Sequence, residues 1–389
     1  MQGRIVNVRS VSDADESAWR DLGQRAVEPN PFYEPDCLIP AAEHQAFGSE
    51  IDLVVAEDGD RFYGVLPIRR VKRWRGLRYP IVTTQVRRMT YLGTPLIDAT
   101  YGGEAVKAIL STLVEQRKAG GSRVLVIQEQ TDGPTAALFR AAASELGLPL
   151  VVFESFERGF LTRHDPPAWQ TAHSTKTLKN LQRKQRNLGK EMGGIAEIVD
   201  RGTDPQAIED YTALEASGYK AEAGVAMATV KGEPEYFRDM CLRFAADKRL
   251  HLLSLTDGTK TAAMICWVRA QDTVLQFKWS YDEQYSKHSP GILLHTEAMR
   301  YFDEHTDASA LDTCTWGENE MINAIYPDRR TIVSYFIPLS SGLRDRLVVN
   351  AFVKLRPLHR KIFEMIHPDK SKSALRGKMA PGGSPSSSA

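Results

Sequence analysis

This sequence predicts an α/β protein built from two tandem domains with mixed central sheets. Three observations predict it. A hairpin–strand–helix–strand order in residues 51–130 returns in residues 249–315. The 389-residue length exceeds the usual single-domain range. The composition, 42% apolar and 25% charged, is that of a chain able to bury a large core.

Taken in order, residues 14–27 and 34–47 read as helices, the second opened by Glu34-Pro35-Asp36. Apolar runs on either side of Asp58-Gly59-Asp60 read as a β-hairpin, since an Asp-Gly pair suits a tight turn. A helix from Glu104 to Lys118 and the buried strand VLVIQEQ follow, then a helix over 135–146 and the strand PLVVFESF. Asp165-Pro166-Pro167 marks the boundary, which gives domains at 1–165 and 166–340. In the second half, RLHLLSLTDGTKTAAMICWVRA repeats the hairpin around Asp257-Gly258. A basic amphipathic helix over 341–368 and a disordered Ser/Gly/Pro-rich tail over 369–389 complete the expected organisation.

Net charge is +1, which excludes a globally polyanion-binding protein but leaves room for local basic surfaces. One is HSTKTLKNLQRKQRNLGKEMG, where Lys176, Lys179, Arg183, Lys184, Arg186 and Lys190 precede any acid. Such a run is either a solvated helix face or a docking face for an anionic partner or membrane surface; helix 341–366 offers a second. The absence of interleaved aromatics argues against nucleic acid. Cys37, Cys241, Cys266 and Cys314 are scattered without metal-ligand spacing, and read as reduced structural residues. With no signal-like N-terminus, the sequence reads as cytoplasmic, with peripheral attachment to the inner membrane face as an option.

The stretch QFKWSYDEQYSKHSPGILLHTEAMRYFDEHTDASALD is the focus of the chain. It reads as strand, polar loop, helix and strand. Ser289 stands at the N-cap, Pro290 at the first helical position, and Gly291 allows close approach. No acid follows until Glu297, so the positive helix end is open to an anion. The equivalent place in the first half, TPLIDATYGGEA, carries Glu104 in its first turn.

Together these residues resemble the GNAT-type acyltransferases, in the tandem branch associated with cellulose biosynthesis and related to the Fem-type transferases. The resemblance rests on QRKQRNLGK, on Tyr219-Lys220-Ala221-Glu222-Ala223-Gly224, and above all on Tyr281-Asp282-Glu283-Gln284-Tyr285 through Gly291. Tyrosine replaces the branch's tryptophan before Lys220, and the superfamily's Gln/Arg-x-x-Gly-x-Gly/Ala loop is missing. The resemblance implies two tandem GNAT-like domains, the second catalytic. It also implies N-acyl transfer from acyl-CoA, acetyl-CoA first, without a metal. The acceptor would be an amine of a sugar, a cell-envelope precursor or a small metabolite, including a glycan- or lipid-linked one. A Fem-like aminoacyl transferase and a degenerate binding protein are the alternatives.

Acyl transfer needs a base for the amine and an acid for the leaving thiolate. Asp312, ending a core strand, either faces a cleft as base or caps a loop; Asp282 and Glu215 are other acids at element ends. Tyr281 and Tyr285 either protonate the thiolate or pack in the core. Tyr219, Lys220, Glu215 and Lys278 are the expected substrate contacts, and His288, Ser289, Pro290 and Gly291 the cofactor contacts. His251 and His295 read as structural. Strands Leu275–Tyr281 and Ala310–Thr315 would splay to hold the pantetheine arm.

Overall fold

The computed structural model describes residues 1–72, 78–84, 90–217, 226–317 and 319–366, with side chains of the last helix described to residue 354. The candidate substrate contacts Tyr219 and Lys220, and the tail from 367 onward, lie outside the described residues. The chain divides into two compact units, Met1–Glu157 with Arg330–Ile366, and Arg158–Arg329.

In the first unit, strands Asp52–Asp58 and Arg61–Val71 form a hairpin whose turn is made by Gly59 at φ 59°. Only glycine takes this left-handed turn position without strain. Arg61–Val71 pairs antiparallel with Ile81–Thr83, and Ile81–Thr83 runs parallel to Val124–Thr131 after the crossover helix Gly102–Lys118. That helix is amphipathic, burying Ala105, Val106, Ile109, Leu110 and Leu113 at helical spacing against the sheet. The last partner of Val124–Thr131 is Asp328–Pro338, in antiparallel register from Ile332↔Thr131 to Pro338↔Val124.

The second unit repeats this connectivity. Strands Leu250–Thr256 and Thr261–Ala270 form a hairpin turned by Asp257, which accepts from the backbone of Thr259 and Lys260, and by Gly258 at φ 93°. Thr273–Tyr281 pairs antiparallel with Thr261–Ala270; the helix Pro290–His305 follows, and Ala310–Asp312 returns parallel to Thr273–Tyr281. Ala310–Asp312 is flanked in turn by residues 160–162 of the strand Val151–Thr162. Its core gathers Trp267, Val274, Leu294, Met299, Phe302 and Leu311 under the helix Pro290–His305.

The division falls at Glu157/Arg158 and Arg329/Arg330 rather than at 165/166 and 340. The reason is strand pairing. The last strand of the first repeat supplies residues 160–162 to the second unit's sheet, and residues 332–338 supply the closing strand of the first. The basic helix of the sequence is Leu343–Ile366.

Candidate active site

The site is built on the break between two parallel strands. Thr273, Val274 and Leu275 pair with Ala310, Leu311 and Asp312, and there the ladder stops. Thr313 turns away, its N–H and hydroxyl both donating to the carbonyl of Gly159 at 3.3 and 2.7 Å. Gln276–Tyr281 runs on, paired on its other side with Ala263–Trp267. Among the described residues the parallel ladder has no pair beyond Leu275↔Asp312.

A β-bulge sits just past the end of that ladder. The register steps from Trp267↔Gln276 to Cys266↔Lys278, so Phe277 is the extra residue. A bulge breaks the alternation of side chains and re-aims those beyond it. Phe277 stacks on Phe237 of the helix Glu233–Ala246, at 5.7 Å between ring centroids. Lys278, next in sequence, donates to Glu215 on the helix Pro205–Ala216. Trp279 then points to the other face, edge-on to His295 at 5.0 Å.

The helix entrance is the second part. Asp282 caps the short turn Glu283–His288 by accepting from the N–H of Gln284 at 2.9 Å. Ser289 follows at φ 56°, ψ 55°, a left-handed conformation uncommon for a residue with a side chain. Its carbonyl accepts from Ile292 and Leu293, which starts the helix, but its hydroxyl does not cap. Instead the ammonium of Lys184 donates to Oγ of Ser289 at 2.7 Å. Pro290 brings no N–H and the first turn holds no acid. The basic helix Thr175–Met192 is therefore packed on the helix entrance, a union of two features the sequence showed separately. Glu191 fastens it further, accepting from Lys287 and His288 at 2.8 Å each, and those two hold its carboxyl below the usual range.

Several expected residues have other duties. Asp312 is fully buried and gripped by Arg158, whose Nε and Nη2 lie 2.7 and 2.8 Å from its two oxygens, while Oδ1 also accepts from the N–H of Cys314. A fully buried carboxylate that is ion-paired to Arg158 and accepts from a backbone N–H has a structural place in the fold rather than a place at the mouth of a cleft. Tyr285 is packed in the core at 4% exposure, and burial pushes its phenol up. Glu215 and Lys278 come together, but as an ion pair with each other, and Glu215 also accepts from the N–H of Met227 at 2.9 Å. Gly291 lies against a ring rather than open space, since a Cβ there would stand 2.7 Å from Cζ3 of Trp279. Tyr281 remains half-buried at the end of the strand Thr273–Tyr281, its phenol pushed up by burial and then by Glu283.

Sequence reasoning missed Arg158 and the special place of Lys184. Nothing local distinguishes an arginine in SFERGFLT as a buried one, and Lys184 is one of six cations in its helix. His295 is structural as expected. It is fully buried, its Nδ1 lies 3.1 Å from the hydroxyl of Tyr326, and burial lowers it to about 3, so the ring is neutral.

Residues 175–319 match the family model described as an acetyltransferase (GNAT) domain. The chain carries a GNAT acyltransferase domain. Its match takes in the basic helix, the bulged strand, the helix entrance and Asp312, and leaves Arg158 outside. Among solved structures, FemX aligns with a TM-score of 0.55 at 9% identity, covering 90% of this chain and 100% of that one. A conserved protein of unknown function from Bacteroides thetaiotaomicron aligns at 0.54, with 12% identity over 86% and 99% of the two chains. A C-terminal DUF2156 domain assigned to a lysylphosphatidylglycerol synthetase of Agrobacterium fabrum aligns at 0.51, with 12% identity over 88% and 97%. At these identities the likeness is one of fold. No curated protein matches the sequence.

Proposed function

We propose that the GNAT domain transfers an acyl group from an acyl thioester, acetyl-CoA first among them, to an amine. The acceptor class is an amino sugar, a cell-envelope precursor or a small metabolite. The observation that carries the reading is the acid-free helix entrance beside Lys184, reached from the strand that continues past the end of the parallel ladder at Leu275. The amide groups of a pantetheine arm pair with that continuing strand as an added strand. The diphosphate of the donor meets the positive helix end and the Lys184 ammonium. The neutral amine attacks the thioester carbonyl, a C–N bond forms, and the C–S bond breaks. Tyr281, half-buried at the end of the strand, returns a proton to the departing thiolate. Asp282, half-exposed next to it in sequence, takes the proton shed by the amine.

Calorimetric titration of acetyl-CoA onto the full chain and onto Lys184→Glu tests this. Saturable binding that weakens by about tenfold or more in the variant is expected, as for loss of one charge-assisted contact. Equal affinity of the two proteins removes the helix entrance from the donor site. No binding by the wild type overturns the thioester reading in favour of an activated aminoacyl donor of the Fem type.

A further inference from the structure

The basic helix carries more charge than the helix entrance uses. Lys184 is spent on Ser289, but Lys176, Lys179, Arg183, Arg186 and Lys190 are all exposed. Their spacing is three, four, three and four residues. At 100° per residue they fall within an arc of about 80° and extend over about 21 Å of helix. Leu181, Leu188 and Met192 occupy the opposite side and are buried. Among the described residues none of the five has an ion-pair partner; Arg183 donates only to the side-chain carbonyl of Asn180. In a chain of net charge +1, five cations aligned without acids are a concentrated local field.

The end of the stripe has a different character. Gly193, at φ 111°, closes the helix by donating to the carbonyl of Gly189. Two residues on, Ile195 is 80% exposed, the most exposed of the large apolar side chains in the described residues. Val199, on the strand that follows, is also exposed.

We propose that this helix docks the protein on an anionic lipid bilayer, the five cations lying along the headgroups and Ile195 entering the acyl boundary. A straight row suits a flat charged surface, because every cation reaches it at once. Each near-surface lysine or arginine then contributes about fivefold in partitioning. A single apolar side chain beside such a row adds insertion, which a phosphate backbone in water would not reward. Nucleic acid fits less well: residues 173–195 contain no aromatic side chain on which a base could stack. The proposal does not rest on the acyl-donor reading, since docking is measured without turnover. Combined with that reading, it selects amines presented by lipid headgroups or lipid-linked precursors.

The test is flotation of the full chain with vesicles of phosphatidylcholine alone and of phosphatidylcholine mixed with phosphatidylglycerol, with and without added transfer RNA. Expected is binding to the mixed vesicles only, weakened by salt. Lys179→Gln, Arg183→Gln and Arg186→Gln together should lower partitioning about a hundredfold. Glutamine is a good helix former at exposed positions, so the fold should be kept, and an unchanged melting temperature checks this. Ile195→Ser alone should weaken binding while leaving its salt dependence in place. Equal binding to neutral vesicles, no binding to either, or full binding by the triple variant overturns the proposal. Release of the wild type from vesicles by RNA assigns the stripe to nucleic acid instead, and overturns it equally.

Discussion

A Cβ built on Gly291 would stand 2.7 Å from Cζ3 and 3.1 Å from Cη2 of Trp279, whereas one built on Gly103 meets nothing within 4 Å. Both glycines open the crossover helix of their repeat, yet only one is held there by packing. Gly291→Ala should therefore cost about 1–3 kcal/mol through overpacking, and Trp279→Leu in the same chain should recover part of the loss. Gly103→Ala should be neutral or slightly stabilising, because it removes backbone freedom from a helix. Thermal unfolding of these three variants and of Trp279→Leu alone measures this, and an additive double variant would show that the ring is not the obstacle. Gly291 thus lets the first turn of the helix pack directly against the indole. The residue-level roles that were hard to read in the sequence are those with distant partners. Asp312 was visible as the end of a core strand, but its Arg158 clamp comes from 154 positions away. The Lys278–Glu215 pair joins two residues 63 apart, chosen separately as substrate contacts.

The helix Leu343–Ile366 is fastened to the first unit by its first turn. Asp345 is buried there and accepts from Tyr79 at 2.8 Å, Arg117 at 2.9 Å, Arg123 at 2.8 Å and Ser340 at 2.7 Å. Burial works against the charge, but Ser340, Tyr79 and the two arginines prevail and hold the carboxyl well below the usual carboxylate range. Asp345→Asn should cost about 2 kcal/mol, as charged hydrogen bonds become neutral ones and two guanidinium groups lose their common anion. A carboxyl whose folded value is depressed contributes its stability in full above the unfolded value, near pH 4, and loses it as pH falls toward the folded one. The wild type should therefore lose more stability than the variant between pH 5 and about pH 3, measured by urea unfolding. Equal losses would place the anchor elsewhere. Elements of this kind were partly legible. The two Asp-Gly hairpins and the Ser-Pro helix start follow from local backbone chemistry, so the sequence carried them. The bulge at Phe277 did not show, because one unpaired residue leaves an apolar strand looking regular; neither did the left-handed Ser289, which serine does not advertise as glycine would.

Each repeat contributes a strand to the unit that does not contain the rest of it, and this governs how the molecule can be cut. A chain ending at Arg329 lacks Val333, Tyr335, Phe336 and Ile337, each at most 3% exposed in the first unit. Such a chain should lose the cooperative unfolding of residues 1–157, and limited proteolysis with mass spectrometry should find cleavage within the strand Val124–Thr131. Persistence of an intact 1–157 fragment would show that the closing strand is dispensable. The tandem repeat itself was readable, since hairpin and crossover patterns recur in sequence; the strand exchange was not, because a strand's composition does not name its neighbour. The same exchange sets a timetable during synthesis. Residues 1–157 leave the ribosome first, but the partner of Val124–Thr131 is not made until Pro338 has been added. At about 5–20 residues per second, the nascent first unit waits roughly 10–35 s with a sheet edge uncovered. Over that interval it is the part of the protein most exposed to pairing with a neighbouring chain on the same messenger.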